Sequence, residues 1–377
     1  MKIPGFKDLM QDLSFAVRQL RKSPAFTITA VLTLALGIGA NTAIFSLLYA
    51  LMLRSLPVSH PEQLARIRIS DPADPQANDV GLSWQMIDMI RATSHTFSDV
   101  SGWSGHTSIF MKDEQGTLRL WEGELVTGNA FGLMGVKPLL GRLILPSDDV
   151  QGGPPQGWAV VMSYGLWNDQ YKGDRGIVGK QITVSDIPVT VVGVLPPTFD
   201  GVEVGFSPKL YMPNHFLAAL YGQGAIDGPN LNYAAMGRLK PGVSLAQANA
   251  EAATYKKAVF DPVVPPRFAA LPFVKRAVFQ VQPGRSGFSF LRQQFVTPLL
   301  MMQGLVGVVL LLCCVNLAGL LLARTYGRQH EFAVRAAIGA GRWRLMRQYL
   351  RASCSLWPGQ CLACCLPGLQ AARLSPS

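Results

Sequence analysis

Two long uncharged runs divide the chain. The first, Ala25 to Leu53, is bracketed by Arg21 and Lys22 before it and Arg54 after it. The second, Phe295 to Ala323, has the same length and ends against Arg324. A bilayer's hydrocarbon core takes about 20 apolar helical residues to cross, so each run predicts a transmembrane helix, over 24–53 and 295–323. Between them lies a polar block, 54–294. The predicted plan is anchor, large domain, anchor, basic tail. A signal peptide's apolar region is about 7–15 residues, half the first run, so the first run reads as a retained anchor.

Ahead of it, Phe6, Leu9, Met10, Leu13, Val17 and Leu20 recur at helical spacing, with Lys7, Asp8, Asp12, Arg18 and Arg21 on the other side. Residues 1–23 therefore read as an amphipathic helix in the cytoplasmic interface, on membrane lipid. Ser23-Pro24 supplies a cap and first-turn proline for the span. Within that span Gly37, Gly39, Ala40 and Ala43 permit close approach of a second helix, and Asn41 can hydrogen-bond across the contact. In the second span Gly304 and Gly307 form a small-residue face, beside Pro298 and Asn316.

The polar block alternates helix and strand signals. Ser83 to Thr93 reads as a helix with Trp84, Ile87 and Ile90 on one face. Leu118 to Val126, Trp158 to Met162, Ile182 to Val184 and Val189 to Val194 read as strands. Ser244 to Val259, after the Pro241-Gly242 turn, reads as an alanine-rich helix. The expected fold is a large mixed α+β domain of two lobes, one inserted in the other.

Composition agrees with a part-membrane protein: 49% hydrophobic and only 15% charged, against about 25% charged in ordinary globular domains. The net charge of +11 is unevenly spread. Residues 1–23 carry +3, residues 324–377 carry +7, and the rest +1. Excess charge beside the spans predicts two cytoplasmic termini and a middle domain on the far side of the membrane; it does not describe a nucleic-acid face. Of six cysteines, none falls between Arg54 and Gln294, so the domain is no disulfide scaffold. Cys361, Cys364 and Cys365 contain a CxxC, but no second pair or nearby histidine completes a zinc site.

No P-loop, GxSxG, HExxH or clustered His/Asp/Glu set occurs. His60, His95, His106 and His215 read as scattered loop or surface residues. The chain is read as a non-enzyme with no cofactor or metal, so any ATPase is a partner.

Several phrases carry a resemblance. They include Leu34 to Ser46 with Val17 to Pro24; Val126-Thr127-Gly128-Asn129-Ala130-Phe131 with Leu140-Gly141-Arg142; and Ser163-Tyr164-Gly165-Leu166-Trp167. Val191 to Pro197, Gly237 to Gly242, and the second span followed by Glu331 to Ala340 complete the set. In this order they resemble permease subunits of MacB/FtsX-type ABC transporters, with a MacB-like periplasmic core domain and the start of an FtsX-like permease domain. The resemblance implies a coupling segment at 324–350 that docks on a separate ATP-binding subunit through Glu331, Phe332, Ala333, Arg335, Ala337, Gly339 and Ala340. It also implies a bacterial inner membrane with the middle domain periplasmic, a second permease subunit as dimer partner, and motion transmitted to the outer domain for export, efflux or lipoprotein release. The alternative is a two-span receptor or scaffold without an ATPase partner.

The family has two further spans after the coupling helix. Here 351–377 turns cysteine-rich, and its longest apolar stretch, Cys361 to Leu366, is too short to span. The expectation is a C-terminal truncation, with a frame shift near Tyr349 to Ser353.

Overall fold

β-branched and aromatic runs bounded by Gly, Pro and Asp become strands, and most of them join one sheet. The computed structural model describes residues 24–52, 55–74, 79–113, 116–227 and 230–326. The amphipathic segment, the coupling residues Glu331 to Ala340 and the cysteine-rich tail lie outside these residues. The chain divides into two units, Leu48–Val296 and Met1–Leu47 with Thr297–Ser377.

The larger unit is built on ten strands. They are β1 (Leu64–Ser70), β2 (Phe97–Lys112), β3 (Leu118–Val126), β4 (Leu140–Gly141), β5 (Trp158–Met162), β6 (Gln181–Val184), β7 (Ile187–Val194), β8 (Leu210–Pro213), β9 (Ala234–Leu239) and β10 (Val278–Pro283). The order across the sheet is β10-β1-β9-β2-β3-β8-β5-β7-β4, and β6 pairs with β7. β10, β1, β9, β2 and β3 are antiparallel neighbours; β3 then meets β8 in parallel. Strands β4 to β8 are thus an excursion of the chain between β3 and β9. Residues 185 and 186 both take positive φ between β6 and β7, the backbone of a two-residue type I′ hairpin.

Helices are set by side-chain caps. Ser83 accepts from the Met86 N–H at 3.3 Å and opens α2 (Trp84–Thr93), numbered after the first apolar helix α1 (Pro24–Met52). Short α3 spans Ala130–Met134. Ser163 caps α4 (Tyr164–Tyr171) through the Leu166 N–H at 3.2 Å, and α5 is Phe216–Tyr221. Ser244 and Gln247 form a reciprocal capping box for α6 (Leu245–Ala252). The second apolar helix, α7, is Phe290–Tyr326.

Helix α6 stops seven residues short of the Val259 expected from periodicity. The pattern continues instead as a π-helical turn, Lys256–Phe260, and Tyr255, Val259 and Phe260 remain buried. The wider turn keeps these side chains on the core side without an uninterrupted α-helix.

Three apolar clusters fill the unit. Ile87 and Ile90 of α2 and Ala248 and Ala252 of α6 pack on β1, β9 and β10 through Ile67, Ile69, Ala235, Phe279 and Val281. Trp103, Phe131, Phe199 and Tyr211 form the second, with Trp103 edge-on to Phe131 at 5.5 Å and Phe131 edge-on to Tyr211 at 5.5 Å. The third joins Leu166 and Phe216 to Val160, Val191 and Met212.

In the smaller unit, α1 and the part of α7 from Thr297 on are long and apolar enough to cross a membrane. The 29 residues of α1 extend about 44 Å at 1.5 Å per residue. Helix α7 begins at Phe290, five residues before the apolar run.

Candidate functional site

The segments flanking the outer domain are tied to each other. Leu56, just after the first span, donates its N–H to the Arg285 carbonyl at 2.8 Å, and Gly284 donates to Leu64 at 2.7 Å. Arg238 on β9 reinforces this root. Its guanidinium donates to the carbonyls of Ser59 at 2.8 Å, His60 at 3.1 Å and Leu133 at 2.8 and 3.1 Å, and to Gln63 Oε1 at 3.2 Å. One planar fork therefore joins the linker after the first span to β9 and α3, a geometry that a lysine could not reproduce. Phe288, two residues before α7, exchanges backbone hydrogen bonds with Val202 and Val204, each at 2.8 Å.

Beside that root lies a cleft of about 710 Å³. A β-bulge on β2 shapes it. Trp103 pairs with Val126 and His106 with Glu124, so three steps along β2 match two along β3. In a regular strand Trp103 and His106 would face opposite ways; the extra residue puts both on one face. Gly105 makes the bulge at φ 68, the left-handed region that side chains with a branched Cβ avoid.

The cleft is lined by Arg66, Trp103, His106, Glu124, Glu203, Phe206 and Phe288, among others. Arg66 is already engaged: its Nη2 donates to both oxygens of Asp79, at 2.7 and 2.5 Å. His106 stacks on Phe206 with ring centroids 3.7 Å apart, and its Nε2 lies 3.8 Å from Glu203. Trp103 is 0% exposed and Glu124 1% exposed, yet the indole Nε1 and Glu124 Oε2 have no hydrogen-bond partner among the described residues. Burial first, and neighbouring Glu203 second, push the Glu124 carboxyl well above the ordinary carboxylate range.

His215 lies in the turn between β8 and α5, within the loop-or-surface expectation, but it is not at the surface. Its side chain is 14% exposed, and both its backbone N–H and ring Nδ1 lie 2.8 Å from Asp149 Oδ1. The Asp149 hydrogen bond outweighs burial and raises the imidazole above its ordinary value.

In the membrane unit, Asn41 Oδ1 accepts from Gln303 Nε2. Gly37 is buried on the same side, where a Cβ would stand 3.0 Å from Leu310 Cδ1. Ala40 is partly buried. Gly39 and Gly304 are exposed, and a Cβ added at Gly39, Gly304 or Gly307 would meet nothing within 4 Å. Asn316 is exposed. Gln303 did not stand out in the sequence; its signal was an amide in the interior of an apolar run.

Residues 27–255 match the family model of the MacB-like periplasmic core domain. The chain belongs to that family. The MacB/FtsX resemblance drawn from the sequence is thereby met, for a permease-type membrane protein whose two apolar helices flank a mixed domain of strands and helices. Among solved structures the chain is similar to a Porphyromonas gingivalis domain described as that of a permease (15% identity, TM-score 0.42, covering 61% of this chain and 92% of that one). It is also similar to the extracellular domain of the ABC-type transporter YknZ from Gram-positive bacteria (13%, 0.39, 58% and 99%). A third is the periplasmic region of MacB from Actinobacillus actinomycetemcomitans (13%, 0.41, 67% and 98%). No curated protein matches the chain in sequence.

Proposed function

We propose that the chain is the non-catalytic permease subunit of a MacB/FtsX-type ABC transporter, carrying the ATP-driven motion of a separate ATP-binding subunit to its periplasmic domain. The observation that carries this reading is the tied root. The Leu56–Arg285 hydrogen bond and the Arg238 fork clamp together the segments that lead from one apolar helix and into the other. A pull on residues 56–63 or 284–285 would reach β1, β9 and β10 through these bonds. Glu331, Phe332, Ala333, Arg335, Ala337, Gly339 and Ala340 would meet the ATPase on the cytoplasmic side, and a second permease copy would complete a dimer. The role is export, efflux or lipoprotein release.

The test is co-purification, from detergent-solubilised membranes, with the ATPase encoded nearest this gene. A stoichiometric, ATP-hydrolysing complex is expected, and Ala337→Asp should abolish it while membrane insertion is retained. A folded chain that captures no ATPase, or unchanged capture by Ala337→Asp, would argue for a receptor or scaffold instead.

A further inference from the structure

Four polar atoms of the cleft lining are enclosed with no hydrogen-bond partner among the described residues. Three are donors, Arg66 Nε, Arg68 Nε and Trp103 Nε1, and the fourth is Glu124 Oε2. A buried polar group left unpaired destabilises the fold, so four in one cleft describe a site shaped for a guest that pairs them. The volume of about 710 Å³ is in the range of small-molecule pockets, roughly 300–1,000 Å³.

The sheet register brings the four groups together. Ile67 and its partner Ala235 belong to the first apolar cluster, so Arg66 and Arg68, the alternate residues of β1, point to the other face. Arg66 stands opposite Met236 of β9. On that same face of β9, Ala234 stands opposite Trp103 of β2. At Ala234 the middle strand contributes only a methyl group between the arginines and the indole. Past the bulge, Glu124 of β3 joins the same face.

The lining asks for an acceptor. Burial and neighbouring Glu203 favour the protonated form of Glu124, whose carboxyl then donates as the other three groups do. Asp79 acts on both arginines, bonded to Arg66 at 2.7 Å and attracting Arg68, while the two guanidinium groups repel each other. Two cations thus meet one acid, and a second anion completes the balance. Glu203 lies 3.8 Å from His106 Nε2. The Phe288 ring carries Arg66 at 4.7 Å and the Phe206 ring carries His106, which leaves Val80, Val202 and Val204 for an apolar body.

We propose that this cleft binds a small organic carboxylate, its two oxygens accepting from Arg66 Nε, Arg68 Nε, Trp103 Nε1 and the Glu124 carboxyl, with its apolar body against Val202 and Val204. A carboxylate offers about four acceptor positions, one for each donor, and bonds to it from charged or acidic donors are the strong kind. Arg66 rests on Phe288, two residues before α7, so the anchored ligand bears on the segment that enters the second span. The inference is independent of ATPase coupling, because binding is measured without an ATPase.

The experiment follows the Trp103 indole N–H by nuclear magnetic resonance, in the full chain with nitrogen-15-labelled tryptophan in lipid nanodiscs, during titration with 3-methylbutanoate. The signal is assigned by its loss in Trp103→Phe. A saturable downfield shift of that proton is expected. Arg68→Met, at a partly exposed position, should weaken binding about tenfold, the effect of losing one hydrogen bond to a charged group. Neither neutral 3-methylbutan-1-ol nor cationic 3-methylbutylamine should move the signal. Calorimetry with the same compounds gives the affinities directly, so the test holds even where Trp103→Phe fails to fold. No binding at tens of millimolar carboxylate, equal binding of the alcohol or the amine, or unchanged affinity in Arg68→Met would each overturn the proposal; the first would leave the four groups to ordered water.

Discussion

His106 stands opposite Glu124 across the β2–β3 ladder, while Trp103, three residues before it, stands opposite Val126. That unequal spacing puts an indole, an imidazole and a buried carboxyl on one wall of one cleft, and it depends on Gly105 at φ 68. A Cβ at this position would meet nothing within 4 Å, so only backbone conformation resists substitution. Left-handed backbone costs an L-residue about 1–2 kcal/mol, less for asparagine. Gly105→Val should therefore destabilise the outer domain by about that amount, and Gly105→Asn by clearly less. Denaturant unfolding of the full chain in detergent compares them. Equal tolerance of valine and asparagine would mean that the bulge can relax.

Arg238 reaches three backbone carbonyls and one amide oxygen at the root. Arg238→Met keeps the aliphatic stem but strands those acceptors, at a cost of about 2 kcal/mol. Arg238→Lys should recover only part, since one ammonium cannot span sites so far apart. In limited proteolysis, faster cleavage within residues 56–63 in Arg238→Met is the expected sign that the linker has come loose. An unchanged digestion pattern would mean that the Leu56–Arg285 bond alone holds the root.

Strand and helix placement was legible wherever local pattern and tertiary burial agreed. Leu118–Val126 and Trp158–Met162 are strands over the residues expected, and Ser83 caps the helix it was expected to open. The sixteen-residue β2 was not legible, because Ser101-Gly102-Trp103-Ser104-Gly105 has no alternation and its bulge breaks the period of two. Glu122 and Glu124 are two residues apart on the same face; only the tertiary fold decides that Glu124 is the one enclosed. The cleft draws residues from positions 66 to 289, and no local pattern joins them. The pairing of His215 was hidden for the same reason, since its partner Asp149 is 66 positions away.

The His215–Asp149 pair sets a pH dependence whose sign can be worked out. The hydrogen bond from Asp149 raises the imidazole above its ordinary 6.5 in the folded state, helped by Asp88 of α2. Trp84 packs edge-on against the ring at 5.1 Å, and Asp149 also accepts from the Gly128 N–H at 2.9 Å. The folded state holds this proton more tightly than the unfolded chain. Its stabilisation is complete below about pH 6.5 and is lost as pH rises through the raised folded value. Unfolding free energy should fall across that window, and Asp149→Asn should flatten the fall. A slope that survives Asp149→Asn would assign it to another group.

The amides of Asn41 and Gln303 meet in the interior of two apolar helices. Inter-helix hydrogen bonds of this kind are worth about 0.6 kcal/mol on average and up to about 1.7. Asn41→Leu and Gln303→Leu should each lower thermal stability in detergent, and the double variant should lose less than the sum of the two. Gly37 and Gly39 then provide an internal control. A Cβ at Gly37 already presses on Leu310, whereas one at Gly39 has open space, so Gly37→Leu should separate the helices and Gly39→Leu should be tolerated. Equal damage from both would place the contact on a different face of α1. Damage from Gly37→Leu alone would tie the amide pair and the close approach to one packed stripe, with Gly39 and Gly304 left exposed for lipid or another helix.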